Sequence, residues 1–237
     1  MYIKILHFII SYFDYPNKKK TINFFKKKFN NNISVLIDVG AHHGETIKLF
    51  NNKFKIKSIL SFEPAKKSYE QLLIKNKNLK NVKFFNIGLG EVEKMVYFND
   101  HFETQSSTIS KINFSSNYYK KKNLFLNPLR NSDKKINVVQ IKIRRLEDII
   151  NELKIENVDI LKIDTEGYDF NVIKGLGNKI SKVKYIFFEH HFHDMLIKKY
   201  KLSDINDYLY NNNFIKVFKS KMRFRKTFEY IYYNNSL

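Results

Sequence analysis

The chain has 237 residues and carries 43 Lys and Arg against 23 Asp and Glu, a formal charge of +20. That length fits one domain of the α/β size range with room for an insertion, and 43 % hydrophobic residues are enough for a full core, so global disorder is excluded. The absence of cysteine excludes a disulfide framework, a thiol nucleophile and any cysteine-ligated zinc or iron–sulfur centre.

Residues 1–32 read as a helical leader, with an apolar run over 5–13 and lysine clusters at 18–20 and 26–28. The run is shorter than the roughly 20 apolar residues that span a bilayer. No small-residue cleavage site follows it. A helix packed on the domain is expected, in a cytoplasmic protein. Peripheral contact with the inner face of a membrane is the alternative for an apolar run flanked by lysines.

Residues 33–237 alternate strands and helices. Strands are expected at 34–39 (SVLIDV), 58–62 (SILSF), 82–86 (VKFFN) and 94–99, and helices at 45–52 and 66–77. Residues 100–137 break the pattern: they lack glycine, are rich in Ser, Asn and Lys, and read as an insertion or lid. Regularity returns with strands at 138–143, 158–163 (VDILKI) and 183–189 (VKYIFFE), and helices at 146–153, 170–176 and 194–211. Two final strands, 214–219 and 228–234, form an antiparallel hairpin. The expected fold is a Rossmann-like, doubly wound sheet, mostly parallel, with a C-terminal antiparallel hairpin.

Chemistry gathers at one edge of that sheet. Gly40, Gly44, Gly88, Gly90 and Gly167 each follow an expected strand closely, where ligands bind in open α/β sheets. Five of the seven histidines (His42, His43, His190, His191 and His193) belong to the same edge. The first loop, DVGAHHGE, is a two-glycine turn rather than a dinucleotide fingerprint. Glu63 ends the second strand, positioned to accept hydrogen bonds from both ribose hydroxyls of an adenosine.

These segments resemble the FkbM family of class I S-adenosylmethionine-dependent methyltransferases. The resemblance rests on VLIDVGAHHGE (35–45), SFEP (61–64), NIGLG (86–90), QSST (105–108), LEDII (146–150), VDILKIDTEGYDFNVIKG (158–175) and FFEHHFHDM (187–195). It implies that Asp38, Gly40, Ala41, His42 and Gly44 form the cofactor loop, with His42 replacing the Asn usual there. It further implies that Glu63 holds the ribose, that Gly88 passes beside the adenine, and that Ser106 and Ser107 line the site. Asp164 and Glu166 would face the methyl group and the acceptor.

The family mostly methylates hydroxyls. The expected activity is therefore O-methylation of a sugar or glycan precursor, free or nucleotide-linked. Because a sugar hydroxyl is a weak acid, it needs a base or a Lewis acid. His191 is the expected base. Alternatively Asp164, Glu189 and His190, at the ends of two neighbouring strands, would hold a first-row metal such as iron or manganese. The charge of +20 gives a competing reading, an RNA-binding protein or RNA methyltransferase. Only five of the basic residues are arginine, however, and lysine filling the surface of an Asn-, Ile- and Phe-rich chain needs no nucleic acid. A non-catalytic cofactor-binding module is the third reading.

Overall fold

The computed structural model describes residues 2–100, 107–126, 137–222 and 226–237, with the side chains of the first helix from Asp14 onward. In chain order the elements are α1 (Tyr2–Phe29), β1 (Asn32–Val39), α2 (Glu45–Asn51), β2 (Lys55–Phe62), α3 (Lys66–Asn76), β3 (Val82–Phe85), β4 (Gly88–Leu89) and β5 (Lys94–Asp100). There follow β6 (Lys111–Ile112), α4 (Asn117–Leu126), β7 (Asn137–Arg144), α5 (Leu146–Glu152), β8 (Val158–Ile163), α6 (Asp169–Lys174), β9 (Val183–His191), β10 (Leu196–Ile197), α7 (Leu202–Asn211), β11 (Phe214–Lys221) and β12 (Thr227–Asn234).

Seven strands form the main sheet in the order β11-β12-β9-β8-β1-β2-β3. β1, β2, β3, β8 and β9 run parallel, and the β11–β12 hairpin adds antiparallel to β9. This is the doubly wound fold that the sequence implies. Alternate side chains of each central strand point to opposite faces. Ile37, Val39 and Leu161 pack with Leu146, Ile149, Val172, Ile205 and Leu209 from α5, α6 and α7. Leu36, Ile59 and Ile160 pack on the other face with Ile22 and Phe25 of α1, Ile47 and Phe50 of α2, and Leu72 of α3.

The leader helix is thus part of the core. Asp14, Asn17, Thr21, Ile22 and Phe25 are buried at helical spacing. The Phe25 ring meets those of Phe50, Tyr185 and Phe187, and Asn17 donates to the Lys221 carbonyl at 2.6 Å. Among the described residues no helix is long and apolar enough to cross a membrane.

Three expectations need correction. The strands expected at 94–99 and 138–143 leave the main sheet and form a separate three-stranded one, β4-β7-β5. The helix expected over 194–211 starts only at Leu202, where Asp204 accepts the Lys201 N–H at 2.8 Å. The residues before it instead form β10, paired with β6 of the insertion. Lastly, β9 runs two residues past its expected end, through His191.

Candidate active site

The loop after β1 is built around close backbone approach. Gly40 has φ +77°, and a Cβ there would lie 1.9 Å from the Asp164 carbonyl oxygen, so the exits of β1 and β8 fit together only with glycine. The N–H groups of Gly40 and Ala41 donate to the Phe62 carbonyl at 2.9 and 3.0 Å, closing the loop onto the end of β2. His42 also has positive φ, +49°, unusual for a residue with a side chain. Its ring stacks on His43 with centroids 3.6 Å apart, and its Nδ1 lies 3.2 Å from Glu45. Burial would raise the Glu45 carboxyl, but the His42 contact pulls it down to about 2. Burial and the neighbouring His42 push His43 down to about 4.

Glu63 is the hinge between this loop and β2. It is 6 % exposed. Its Oε2 accepts the His42 N–H at 2.8 Å and its Oε1 accepts the Ala65 N–H at 2.9 Å. Burial nonetheless pushes the carboxyl up to about 7. Each oxygen keeps a further lone pair for a ligand hydroxyl, and the residue lines a cavity of about 240 Å³. Gly40, Ala41, His42, Gly88 and Ser107 line the same cavity. Ser106 lies outside the described residues.

The loop after β8 carries the acids. Asp164 and Glu166 both line the cavity. Glu166 has φ +49° and Gly167 φ +91°. This backbone is clipped from outside by the insertion: Thr108 Oγ1 donates to the Glu166 carbonyl at 2.7 Å, and Ser110 Oγ to the Gly167 carbonyl at 2.9 Å. From below, Asp169 accepts the Thr165 N–H at 3.0 Å and its hydroxyl at 2.7 Å. His191 Nε2 stands 3.6 Å from Glu166 Oε2, with its Nδ1 3.0 Å from the Thr227 hydroxyl. Ligand atoms of Asp164, Glu166 and His191 all lie within 4.8 Å of one another.

That trio replaces the one expected for a metal. Because β9 continues through His191, its side chains alternate. Phe187 and Glu189 line the cavity, and His191 follows them on that face. His190 points to the opposite face, against the rings of Phe192 and Tyr200, with Nε2 3.3 Å from Lys198 Nζ. Burial and then the Lys198 charge lower it to about 3. Asp164, Glu189 and His190 therefore do not converge. His191 itself is 4 % exposed and stands behind Glu166 rather than on the cavity wall.

Asp38 is also not a wall residue. It is fully buried under the loop, 3.5 Å from Lys162 Nζ, and Lys162 reaches Asp164 at 3.4 Å on its other side. Burial alone would lower the Lys162 ammonium, but Asp164, Asp38 and Glu189 hold it above its ordinary value. Sequence reasoning missed Lys162, although a charge inside the apolar run VDILKID was a visible signal. It also missed Asp14, Lys18 and Thr21 of α1, with Met222 and Glu229, which line the same cavity.

A family model, the methyltransferase FkbM domain, matches residues 38–216. The chain is 25 % identical over 150 residues to Methyltransferase 1 of Beauveria bassiana (strain ARSEF 2860), covering 62 % of this chain and 59 % of that protein. It thus spans less than two thirds of that relative. The crystal structure of methyltransferase FkbM from Methylobacillus flagellatus KT is similar at a TM-score of 0.56 and 16 % identity, over 86 % of this chain and 44 % of the other. An rRNA methylase from Streptococcus thermophilus superposes at a TM-score of 0.50 with 7 % identity, over 91 % of this chain and 94 % of that one. Such identities speak to the fold alone. The family match, which takes in well over half of the residues and both acidic loop segments, goes further: the chain belongs to the FkbM methyltransferase family.

Proposed function

We propose that the protein is an S-adenosylmethionine-dependent O-methyltransferase acting on a hydroxyl of a sugar or glycan precursor. The observation that carries this reading is that the Glu63-anchored glycine loop and the Asp164 and Glu166 carboxylates, with His191 behind Glu166, meet at one cavity. Glu63, buried yet retaining acceptor capacity, suits a ribose diol. The cofactor, when bound, supplies a methyl group already activated on a sulfonium. The chain's own residues then have to align the acceptor and remove its proton. Glu166 on the wall takes the hydroxyl proton, and His191 behind it, oriented by Thr227, stabilises that proton. Lys162 fixes Asp164 from below, so that the acid keeps a set direction toward the acceptor.

The same cluster supports a second reading. Two carboxylates and an imidazole within 4.8 Å fit a first-row metal ion, which Asp164, Glu166 and His191 would hold and which would make the acceptor hydroxyl more acidic. Transfer of labelled methyl from S-adenosylmethionine to a panel of monosaccharides and nucleotide sugars, with and without chelator, tests both. Label in a sugar supports the proposal, and loss of turnover on chelation selects the metal-assisted form. Label in RNA alone would overturn the sugar assignment.

A further inference from the structure

The loop after β1 carries a second group of metal-ligand side chains, made of other residues than the Asp164 cluster. It reads His42-His43-Gly44-Glu45, and ligand atoms of the two histidines and the glutamate all lie within 4.8 Å of one another. Glu45 Oε1 is their common point: His42 Nδ1 stands 3.2 Å from it and His43 Nδ1 3.9 Å. Donor atoms around a four-coordinate zinc ion, with bonds of about 2.0–2.2 Å, lie about 3.4 Å apart. The two observed separations bracket that value. The imidazole rings stack 26° from parallel with centroids 3.6 Å apart, so both present Nδ1 to the same carboxylate.

The backbone under these groups is held by its own bonds. His42 keeps φ +49° with its N–H on Glu63, and the Gly44 N–H donates to the Ala41 carbonyl at 2.8 Å. Asn76 of α3 is buried, and its Nδ2 donates to the His43 carbonyl at 3.3 Å. A Cβ on Gly44 would lie 2.3 Å from that Nδ2, so the glycine is what admits the asparagine. Glu45 Oε2 accepts the His43 N–H at 3.1 Å, which leaves Oε1 toward the two rings. Ligands set in place this way lose little freedom when an ion arrives. All three side chains are open to solvent in part, so an ion can reach them and water can complete its coordination.

We propose that His42, His43 and Glu45 form a binding site for a zinc-class divalent ion. Two imidazoles and one carboxylate suit zinc and not magnesium, which takes oxygen ligands and keeps its waters. Ligation uses the Nδ1 lone pair of each ring, so each imidazole carries its proton on Nε2, and a proton held between His42 and Glu45 is released to solvent. His42 and Glu45 also line the cavity, so an ion there sets positive charge at the cavity edge and pins the glycine loop. The site stands independently of the methyl-transfer reading.

Calorimetric titration of the untagged full chain with zinc chloride, at a pH of about 7.5 where free imidazole is neutral, tests it. Every sample carries Glu166→Gln, which disables the Asp164–Glu166–His191 cluster as a competing site. One zinc ion per chain should bind with a Kd of about 10 µM or tighter and raise the melting temperature. His43→Ala and Glu45→Gln should each weaken zinc binding about tenfold or more, and magnesium chloride should give no binding heat. His43→Ala alters a partly exposed side chain and Glu45→Gln keeps the shape of the original, so should one variant fail to fold the other decides. Zinc binding no tighter than about 1 mM, unchanged zinc affinity in either folded variant, or equal binding of magnesium would overturn the proposal.

Discussion

The Glu63 carboxylate accepts the His42 backbone N–H at 2.8 Å across 21 residues of sequence. That one bond fastens the end of β2 to the loop after β1, so the group proposed to hold a ribose also holds the loop beside it. Burial raises its pKa from 4.5 to about 7, which means that the folded chain binds the proton more tightly than the unfolded one. Stability should therefore be fullest below pH 4.5 and fall, by up to about 3 kcal/mol, as the pH rises through 7. Urea unfolding across that window should show the slope in the wild type and a flatter line in Glu63→Gln. Glu63→Ala should weaken S-adenosylmethionine binding by roughly 1–3 kcal/mol in calorimetry. Unchanged affinity would remove Glu63 from the cofactor site.

Gly40→Ala should be severe for a small change. The added methyl would sit 1.9 Å from the Asp164 carbonyl oxygen at φ +77°, so the exits of two central strands must part. The left-handed backbone alone costs about 1–2 kcal/mol in a residue with a Cβ, and the clash adds to it. We expect a loss of at least about 2 kcal/mol in unfolding free energy and no measurable cofactor binding. A stable variant with wild-type affinity would contradict the geometry.

Lys162→Met should strand two acids. It leaves Asp38, fully buried, and Asp164 without their shared cation. Breaking a buried ion pair from one side costs about 3–5 kcal/mol. Because the damage is an uncompensated charge, adding Asp38→Asn should recover part of it. A double variant no more stable than Lys162→Met would show that the lysine matters for packing rather than charge.

His190 and His191 are sequence neighbours with opposite expected outcomes. His191→Asn should lower kcat by about 10²–10⁴ while leaving S-adenosylhomocysteine affinity intact. His190→Asn, on the far face against Phe192, Tyr200 and Lys198, should change thermal stability and leave kcat within a few fold. The reverse result would return a place in the site to His190, the metal ligand expected from the sequence.

The same residues mark how far the sequence alone could be read. The loop of Gly40 and the strand-end acid Glu63 were legible because a glycine or a single carboxylate at a strand exit suits few roles besides close backbone approach and ligand binding. His190 and His191 were not separable, because a tandem pair at a strand end has a facing that depends on where the strand stops, and two extra residues of pairing with β12 decide it. The strands at 94–99 and 138–143 carry correct local patterns, but which sheet they join is a matter of tertiary pairing. Residues 194–211 contain enough helix formers to mislead, since β10 exists only because β6 of the insertion pairs with it. Lys162 was visible as a charge in an apolar run, yet its partners lie on β1 and beyond its own strand.

The family's matched span begins at residue 38 and ends at 216. Asp14, Lys18, Thr21, Met222 and Glu229, which also line the cavity, all fall outside it. The wall of the cavity is thus shared between the family's matched stretch, which brings the glycine loop, Asp164, Glu166 and Glu189, and two outer segments, α1 and the β11–β12 hairpin. Grafting residues 1–31 together with the β11–β12 hairpin from a relative of different acceptor preference should transplant that preference while the affinity for S-adenosylmethionine stays with the host.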